Sequence, residues 1–487
     1  MPIDVSHLVP KATKTPWQFQ LVGSTFLTDT ANGRGILGDE MGVGKTGQAY
    51  LAYKTLNPGM NLPCLLVGRK NAIAAWRRQA HEWGCPKPVF ISGNAAQRAK
   101  LWKTYGGSPF RFVATTREAL VRDYKAGVVP QKWHIIFDDE AHRDSNRKNL
   151  SFKILKSMTH KSRCSYFIAL TGSPMERGAT DLWALLHLCD PVKWSSYWAF
   201  VNKYYLTQQS EMGNMEILSP RPGNTFRQDI KKYFLRRLKR EVREDMPPKV
   251  RDMNIWLDLT PEQARIYNQL MQENIAELSR PDVLSVTPTV LARLTRLRQL
   301  LVCPRILDPA LSDGASVDNL IEMLEETSDR HMVVFTPFTD AIPFVKERLI
   351  KEGYSAESIV EFRGGLEPDE VIRRCEVFQE RRGIALCSIS FAESFDLVPA
   401  TWGYFLGPSW SVRENLQAED RLDRIIIEWS VTLYYPRYKG CIDAELIFDG
   451  ALDGKANRIA AMLGSPKEVL LRMWNAEAKA KAIEGDE

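Results

Sequence analysis

An apolar run that ends in a glycine-rich turn and restarts as a helix constrains this chain more than any other feature. Residues 35–46 read GILGDEMGVGKT. A strand, a turn with glycines at Gly42 and Gly44, and a helix start aim several backbone N–H groups at one point. The helix dipole adds positive character there, which suits a phosphate. In the phosphate-loop pattern Lys45 reaches the β- and γ-phosphates of ATP and Thr46 ligates Mg2+. The strict pattern has a glycine where Asp39 stands.

The rest of the first half repeats the same texture. Apolar runs at 64–68 (CLLVG), 110–114 (FRFVA), 134–137 (HIIF) and 166–170 (YFIAL) alternate with helical patterns. Such runs predict buried parallel strands joined by crossover helices, a doubly wound α/β sheet. From Asp181 to about Leu307 the chain turns helical and rich in Arg and Leu, with a break at Met246, Pro247 and Pro248. A second alternating region starts near Ser316, with HMVVF at 331–335, IALC at 384–387 and WGYFL at 402–406. The expected plan is therefore α/β: a first lobe over 1–180, helical insertions and linker over 181–312, a second lobe over 313–440, and C-terminal helices over 441–487. A chain of 487 residues has room for this.

A second chemical motif follows the first at a workable distance. The run HIIF ends in DDEAH, residues 138–142. Carboxylates at the C-terminal end of a parallel strand sit over the ligand crevice of such a sheet. Asp139 is placed to hold Mg2+ through water, Glu140 to orient and deprotonate an attacking water, and His142 to link this site to the next motif. Upstream, PWQFQ at 16–20 reads either as a plain helix start or as an adenine reader, since Gln20 offers both a donor and an acceptor.

Composition narrows the class. Hydrophobic residues make up 44% and charged residues 25%, and the net charge is +6, a mild excess that permits a polyanionic partner without demanding one. The eight cysteines form no metal-ligand or disulfide spacing and read as buried thiols of a reducing compartment. The first twenty residues carry no apolar signal segment, and no run approaches a membrane span. The expectation is a soluble intracellular protein with no membrane partner, cytoplasmic if bacterial or viral and nuclear if eukaryotic. The 13 tryptophans read mostly as core, with base stacking by Trp76 or Trp410 the lesser alternative.

GDEMGVGKT and DEAH together resemble the superfamily-two helicases, and specifically their Swi/Snf-related branch. The resemblance extends through LTGSP at 170–174, FLRRLKREV at 234–242 followed by MPPK at 246–249, LTPEQARIY at 259–267, LRQLLVCP at 297–304 and QAEDRLDR at 417–424. It covers about Pro16 to Leu463. It implies two RecA-like lobes, ATP and Mg2+ as cofactors, and double-stranded DNA as partner of a monomeric motor. Thr171, Gly172 and Ser173 would couple hydrolysis to movement, and Gln417 would lie at the nucleotide. Arg421 and Arg424, three apart and so expected on one helical face, would meet the γ-phosphate. The basic run Arg236, Arg237, Lys239 and Arg240 marks the family, or is a solvated helix face.

Two departures stand in the second lobe. Ala392 and Ser394 replace usual glycines, and Ile425, Ile426 and Ile427 follow where Gly-Gln is common. Phosphate-backbone contacts are expected at Arg69, Lys70 and Thr116 in the first lobe, and at Thr336, Arg363, Gly364, Ser388 and Ser390 in the second. The function this resemblance implies is an ATP-dependent translocase on duplex DNA that displaces or remodels bound complexes. An annealing or branch-migrating motor acting at forks, to which QAEDR and Trp410 look closest, is the alternative; an idle DNA-binding scaffold is a third.

Overall fold

The computed structural model describes residue 9 and residues 11–441, apart from 106–110, 176–178, 210–214, 253, 279–286, 327–330, 382, 393–396, 399, 410 and 425–426. The C-terminal helices expected over 441–487 lie outside the described residues after Cys441, as do Trp410, Ser394, Ile425 and Ile426. The chain divides into two units, residues 1–246 and 247–487, and the division falls at the Met246–Pro247 break.

In the first unit the strands are β1 (Arg34–Leu37), β2 (Cys64–Gly68), β3 (Val89–Phe90), β4 (Phe112–Thr116), β5 (Trp133–Asp139), β6 (Cys164–Leu170), a hairpin of β7 (Tyr205–Gln209) and β8 (Met215–Pro220), and β9 (Phe234–Leu235). Seven of them form one sheet in the order β3-β4-β2-β5-β6-β1-β9, every pair parallel. Its helices include α1 (Gln18–Thr25), α2 (Lys45–Leu56), α3 (Lys70–Glu82), α4 (Ala95–Tyr105) and α5 (Arg117–Lys125).

The central strands of the sheet are mostly apolar because both faces are covered. Leu65, Val67, Ile136, Phe167 and Ala169 pack into one cluster, while their neighbours Cys64, Leu66, Ile135, Phe137, Ile168 and Leu170 pack into the other. Alternate residues thus point to opposite layers, as a pleated strand requires. Register then sets the site. Leu37 pairs with Leu235 on one side and Leu170 on the other, and Leu170 pairs with Asp139. The loops leaving β9, β1, β6 and β5 therefore start level with one another.

The second unit carries β10 (Lys249–Asp252), β11 (Trp256–Leu257), β12 (Met332–Thr336), β13 (Ile359–Phe362), β14 (Ile384–Ser388), β15 (Trp402–Phe405), β16 (Val431–Tyr434) and β17 (Arg437–Tyr438). Six form a second all-parallel sheet, β10-β16-β15-β12-β14-β13, and β11 pairs with β17. A satellite core of Tyr267, Met271, Leu297, Leu300, Leu301 and Tyr438 joins the helices of residues 261–302 to β17.

Within 181–312 the helices Leu182–Cys189, Tyr197–Tyr204 and Thr287–Val302 accompany the β7–β8 hairpin and the edge strands β9 and β10. β9 and β10, of two and four residues, are too short to show a period of two, so they merge into the helical texture around them. No helix among the described residues is long and apolar enough to cross a membrane.

Candidate functional site

The turn after β1 is built as a phosphate cradle. Gly42 and Gly44 adopt left-handed φ of 84° and 77°, and Gly44 caps α2, so Lys45 and Thr46 open that helix. These conformations suit glycine because no Cβ obstructs them. At position 44 a Cβ would also stand 2.7 Å from Gln20 Nε2. Gln20, buried on α1, accepts the Trp17 N–H at 3.0 Å, which leaves its amide beside the loop. Lys45 Nζ donates to the carbonyls of Asp39 (2.9 Å) and Glu40 (3.1 Å).

Asp39, which replaces the pattern's first glycine, is fully buried and gripped by Arg237. Arg237 donates its backbone N–H (3.0 Å) and Nε (3.1 Å) to Asp39 Oδ1, and Nη2 to Oδ2. The same guanidinium reaches Phe19 O (2.7 Å) and Gln48 Oε1 (2.8 Å). Arg236 donates to Gly38 O (2.9 Å) and Gly172 O (3.2 Å), and Lys239 N–H donates to Glu40 Oε2 (2.8 Å). The basic run is thus no solvated helix face over Arg236, Arg237 and Lys239. It leaves β9 as a strap over the phosphate loop, and Lys239 is buried. Sequence reading missed this pairing; an acid inside a phosphate loop was the signal that a distant cation must meet it.

The loop after β5 holds the acids. Asp139 Oδ2 accepts from Trp76 Nε1 (2.9 Å), and Oδ1 from the Glu140 N–H (3.0 Å). Trp76 is fully buried, which makes it core and an orienting donor. Burial, and then the charge of Glu140, push the Asp139 carboxyl up to about 6 against the Trp76 hydrogen bond. Lys45 and Arg117 lie near this carboxyl, and its hard oxygens fit Mg2+, which takes one or two carboxylates and completes its shell from substrate phosphates and water.

Glu140 adopts a left-handed backbone, φ 54° and ψ 47°, a conformation that costs a non-glycine residue roughly 1–3 kcal/mol. His142 Nδ1 lies 3.2 Å from Glu140 Oε2 and 3.0 Å from Thr171 Oγ1, which accepts the Ser173 N–H at 3.1 Å. Gly172 admits no side chain, because a Cβ there would stand 2.5 Å from Met41 Cγ. His142 therefore hydrogen-bonds to Thr171 in the loop after β6, with the Glu140 carboxylate 3.2 Å from the same ring nitrogen.

Arg117, not singled out from the sequence, underlies this loop. Nε donates to Asp144 Oδ2 (2.6 Å), and Nη2 to Asp138 Oδ1, to Asp139 O (2.7 Å) and to Glu140 O (3.2 Å). Burial works against its charge, but Asp138 and Asp144 outweigh burial and hold it above the usual arginine range.

In the second unit, Gln417 and Arg421 are buried, and Arg421 Nε donates to Gln417 O (3.0 Å). The expectation that Arg421 and Arg424 share a helical face is corrected. The helix Val412–Glu419 ends before them. Hydrogen bonds tighten there from Asp420 N–H to Leu416 O into Arg421 N–H to Ala418 O (3.1 Å) and Leu422 N–H to Glu419 O (3.0 Å), so both arginines leave on a turn. Glu419, fully buried, accepts from Arg251 Nε (2.8 Å) and Nη2 (2.6 Å), pairs with Lys249 (3.1 Å) and accepts from Tyr435 Oη (2.8 Å).

The expected backbone contacts sort by exposure. Arg69 and Lys70 open α3 at the end of β2, and Thr116 caps α5 at the end of β4, accepting the Ala119 N–H at 3.3 Å. Thr336 and Ser388 are buried. The Thr336 hydroxyl closes a turn onto Phe338 O (3.1 Å), and Ser388 Oγ meets Ser390 Oγ (3.1 Å) and Thr339 Oγ1 (3.4 Å). Arg363 is exposed and pairs with Glu361 (3.3 Å), and Gly364 faces open space.

Comparison with known proteins follows the same lines. Chromodomain-helicase-DNA-binding protein 7 of Homo sapiens is 24% identical, over 92% of this chain and 16% of its own length. Protein CHROMATIN REMODELING 5 of Arabidopsis thaliana is 24% identical, over 85% of this chain and 25% of its own. The chain thus spans a quarter or less of the length of these relatives. The solved Sulfolobus solfataricus SWI2/SNF2 ATPase core in complex with dsDNA is 20% identical, with a TM-score of 0.43 and 96% of each chain covered. The family model described as SNF2-related domain matches residues 19–306, more than half of the sequence and all of the phosphate-loop, acid-loop and strap residues of the first unit, and the chain belongs to that family.

Proposed function

We propose that this chain is an ATPase stimulated by double-stranded DNA, which uses ATP with Mg2+ to move along the duplex and displace or remodel what is bound there. The observation that carries this reading is the level row of strand ends in the first unit. It sets Lys45, Asp139, Glu140 and the His142–Thr171 pair on adjacent loops of one parallel sheet. The names of the curated relatives, helicase and DNA-binding, support the choice of nucleic acid.

ATP binds with its phosphates against the loop N–H groups, and Lys45 exchanges the carbonyls of Asp39 and Glu40 for phosphate oxygens. Bound through Asp139 and Thr46, Mg2+ supplies positive charge that offsets the negative charge on those oxygens. Glu140 takes the proton of the attacking water, and its contact with His142 carries the change toward Thr171 and Ser173. Arg421 and Arg424 belong to a different unit from Lys45, so their requirement for turnover would make hydrolysis conditional on conformation. Arg69, Lys70 and Thr116, with Arg363, Gly364, Thr336, Ser388 and Ser390, are the proposed backbone contacts. Buried Thr336 and Ser388 would act through the turns they close.

The test is steady-state ATP turnover with duplex DNA, single-stranded DNA and RNA at several salt concentrations. Duplex DNA should stimulate most, and stimulation should fall steeply with salt as counterions compete for the phosphates. Greatest stimulation by RNA would overturn the reading.

A further inference from the structure

We propose that Arg117 is a positioning residue that relays occupancy of the DNA contact at Thr116 to Glu140. The inference rests on the function proposed above and names a part of its regulation. Thr116 and Arg117 are consecutive, the last residue of β4 and the first of α5. The threonine hydroxyl is committed to the start of α5 through the Ala119 N–H. A phosphate taken up at Thr116 therefore acts on the backbone segment that carries Arg117.

Arg117 has an unusual set of acceptors. Its single Nη2 serves the carboxylate of Asp138 and the carbonyls of Asp139 and Glu140, while Nε holds Asp144. Those two carbonyls bracket the Glu140 α-carbon, and Glu140 is one of three non-glycine residues with positive φ among those described. A left-handed residue persists only where its surroundings over-determine it. Here the fixing group is a guanidinium buried to 7% exposure between two fully buried acids. Its geometry is rigid and planar, so a displacement of the α5 start is transmitted to the Glu140 peptide. The Glu140 carboxylate is in turn 3.2 Å from His142, so the backbone setting of Glu140 decides whether its side chain faces a water or the histidine.

The test compares wild type, Arg117→Lys and Asp144→Asn for ATP turnover without DNA and at saturating duplex DNA, with KM for ATP and duplex affinity measured alongside. Lysine retains the charge but cannot serve Asp144 and both carbonyls at once. The ratio of DNA-saturated to DNA-free turnover should fall about tenfold or more in Arg117→Lys, with KM and duplex affinity within about threefold of wild type. Asp144→Asn keeps an acceptor for Nε but not its charge, and should lower the same ratio about threefold. It decides the matter if Arg117→Lys does not fold. A ratio unchanged in both variants, or equal losses with and without DNA, overturns the relay while leaving the proposed function standing. Wild-type turnover indifferent to every duplex offered takes down both.

Discussion

One connecting segment contributes an edge strand to each unit, and the two strands secure a buried acid in different ways. In the first unit β9 leads into Arg237, which meets Asp39 with three donors and also donates to Phe19 O and Gln48 Oε1. In the second unit β10 carries Lys249 and Arg251, and Glu419 is shared among both of them and Tyr435. Asp39 belongs to the phosphate loop and Glu419 stands two residues before Arg421, so each clamp fixes a segment of the proposed ATP chemistry. The arrangement around Asp39 is centred on one guanidinium that ties three elements together. Around Glu419 the cations are redundant and partly open to solvent, with the Arg251 side chain 33% exposed. A buried ion pair contributes little net stability while complete, but a charge left behind without its partner is costly. The difference between the clamps should therefore show only when a cation is removed.

Both clamps matter to function only if the groups they hold react, and the largest expected effects test that. Lys45→Ala should reduce ATP turnover to background. Glu140→Gln should still bind ATP but turn over roughly 10²–10⁴-fold more slowly, the usual contribution of a general base. Normal turnover by Glu140→Gln in a steady-state assay would remove Glu140 from the chemistry and leave the Asp39 clamp as a structural device alone.

The comparison itself is broken or sharpened by two matched substitutions. Arg237→Met isolates the Asp39 carboxylate inside the first unit and should cost about 3–5 kcal/mol of stability in denaturant titration. Asp39→Asn in the same chain should recover much of that loss. Arg251→Met leaves Glu419 with Lys249 and Tyr435, and should cost about 1.5–3 kcal/mol, the range of a hydrogen bond to a charged group. Equal losses would mean that redundancy around Glu419 is not what protects the second unit.

Legibility followed the same divide between local and distant partners. The run CLLVG could be read as β2 because a strand covered on both faces must be apolar throughout, and GDEMGVGKT announces its own turn. The partner of Asp39 could not be read, since Arg237 lies 198 positions away and only the register of Leu37 with Leu235 brings them level. Arg117 escaped notice for a related reason: its acceptors are two backbone carbonyls and two acids at and beyond the end of the next strand, and carbonyls leave no mark in a sequence. Arg421 and Arg424 misled because the spacing of three fits a helix face, whereas the hydrogen bonds had already tightened after Glu419.

The smallest expected effect extends the comparison to an acid at the surface of the first unit. Asp229 accepts from Lys203 Nζ (2.8 Å), Tyr204 Oη (2.7 Å) and Thr225 Oγ1 (2.8 Å), and so pins the base of the β7–β8 hairpin. These donors, Lys203 first, hold its carboxyl well below the usual range. A carboxyl depressed by folding contributes stability above its unfolded value, about 3.9, and loses it as pH falls from there toward the folded value. Asp229→Asn should therefore cost about 1 kcal/mol at pH 7, as expected for hydrogen bonds to a partly exposed charge. That gap from wild type should narrow as the pH is lowered through 4. Parallel stability curves from pH 7 to pH 3 would show that the ionised carboxylate is not what the three donors hold. In that event, charge pairing would set the structure only where, as at Asp39 and Glu419, water has been excluded.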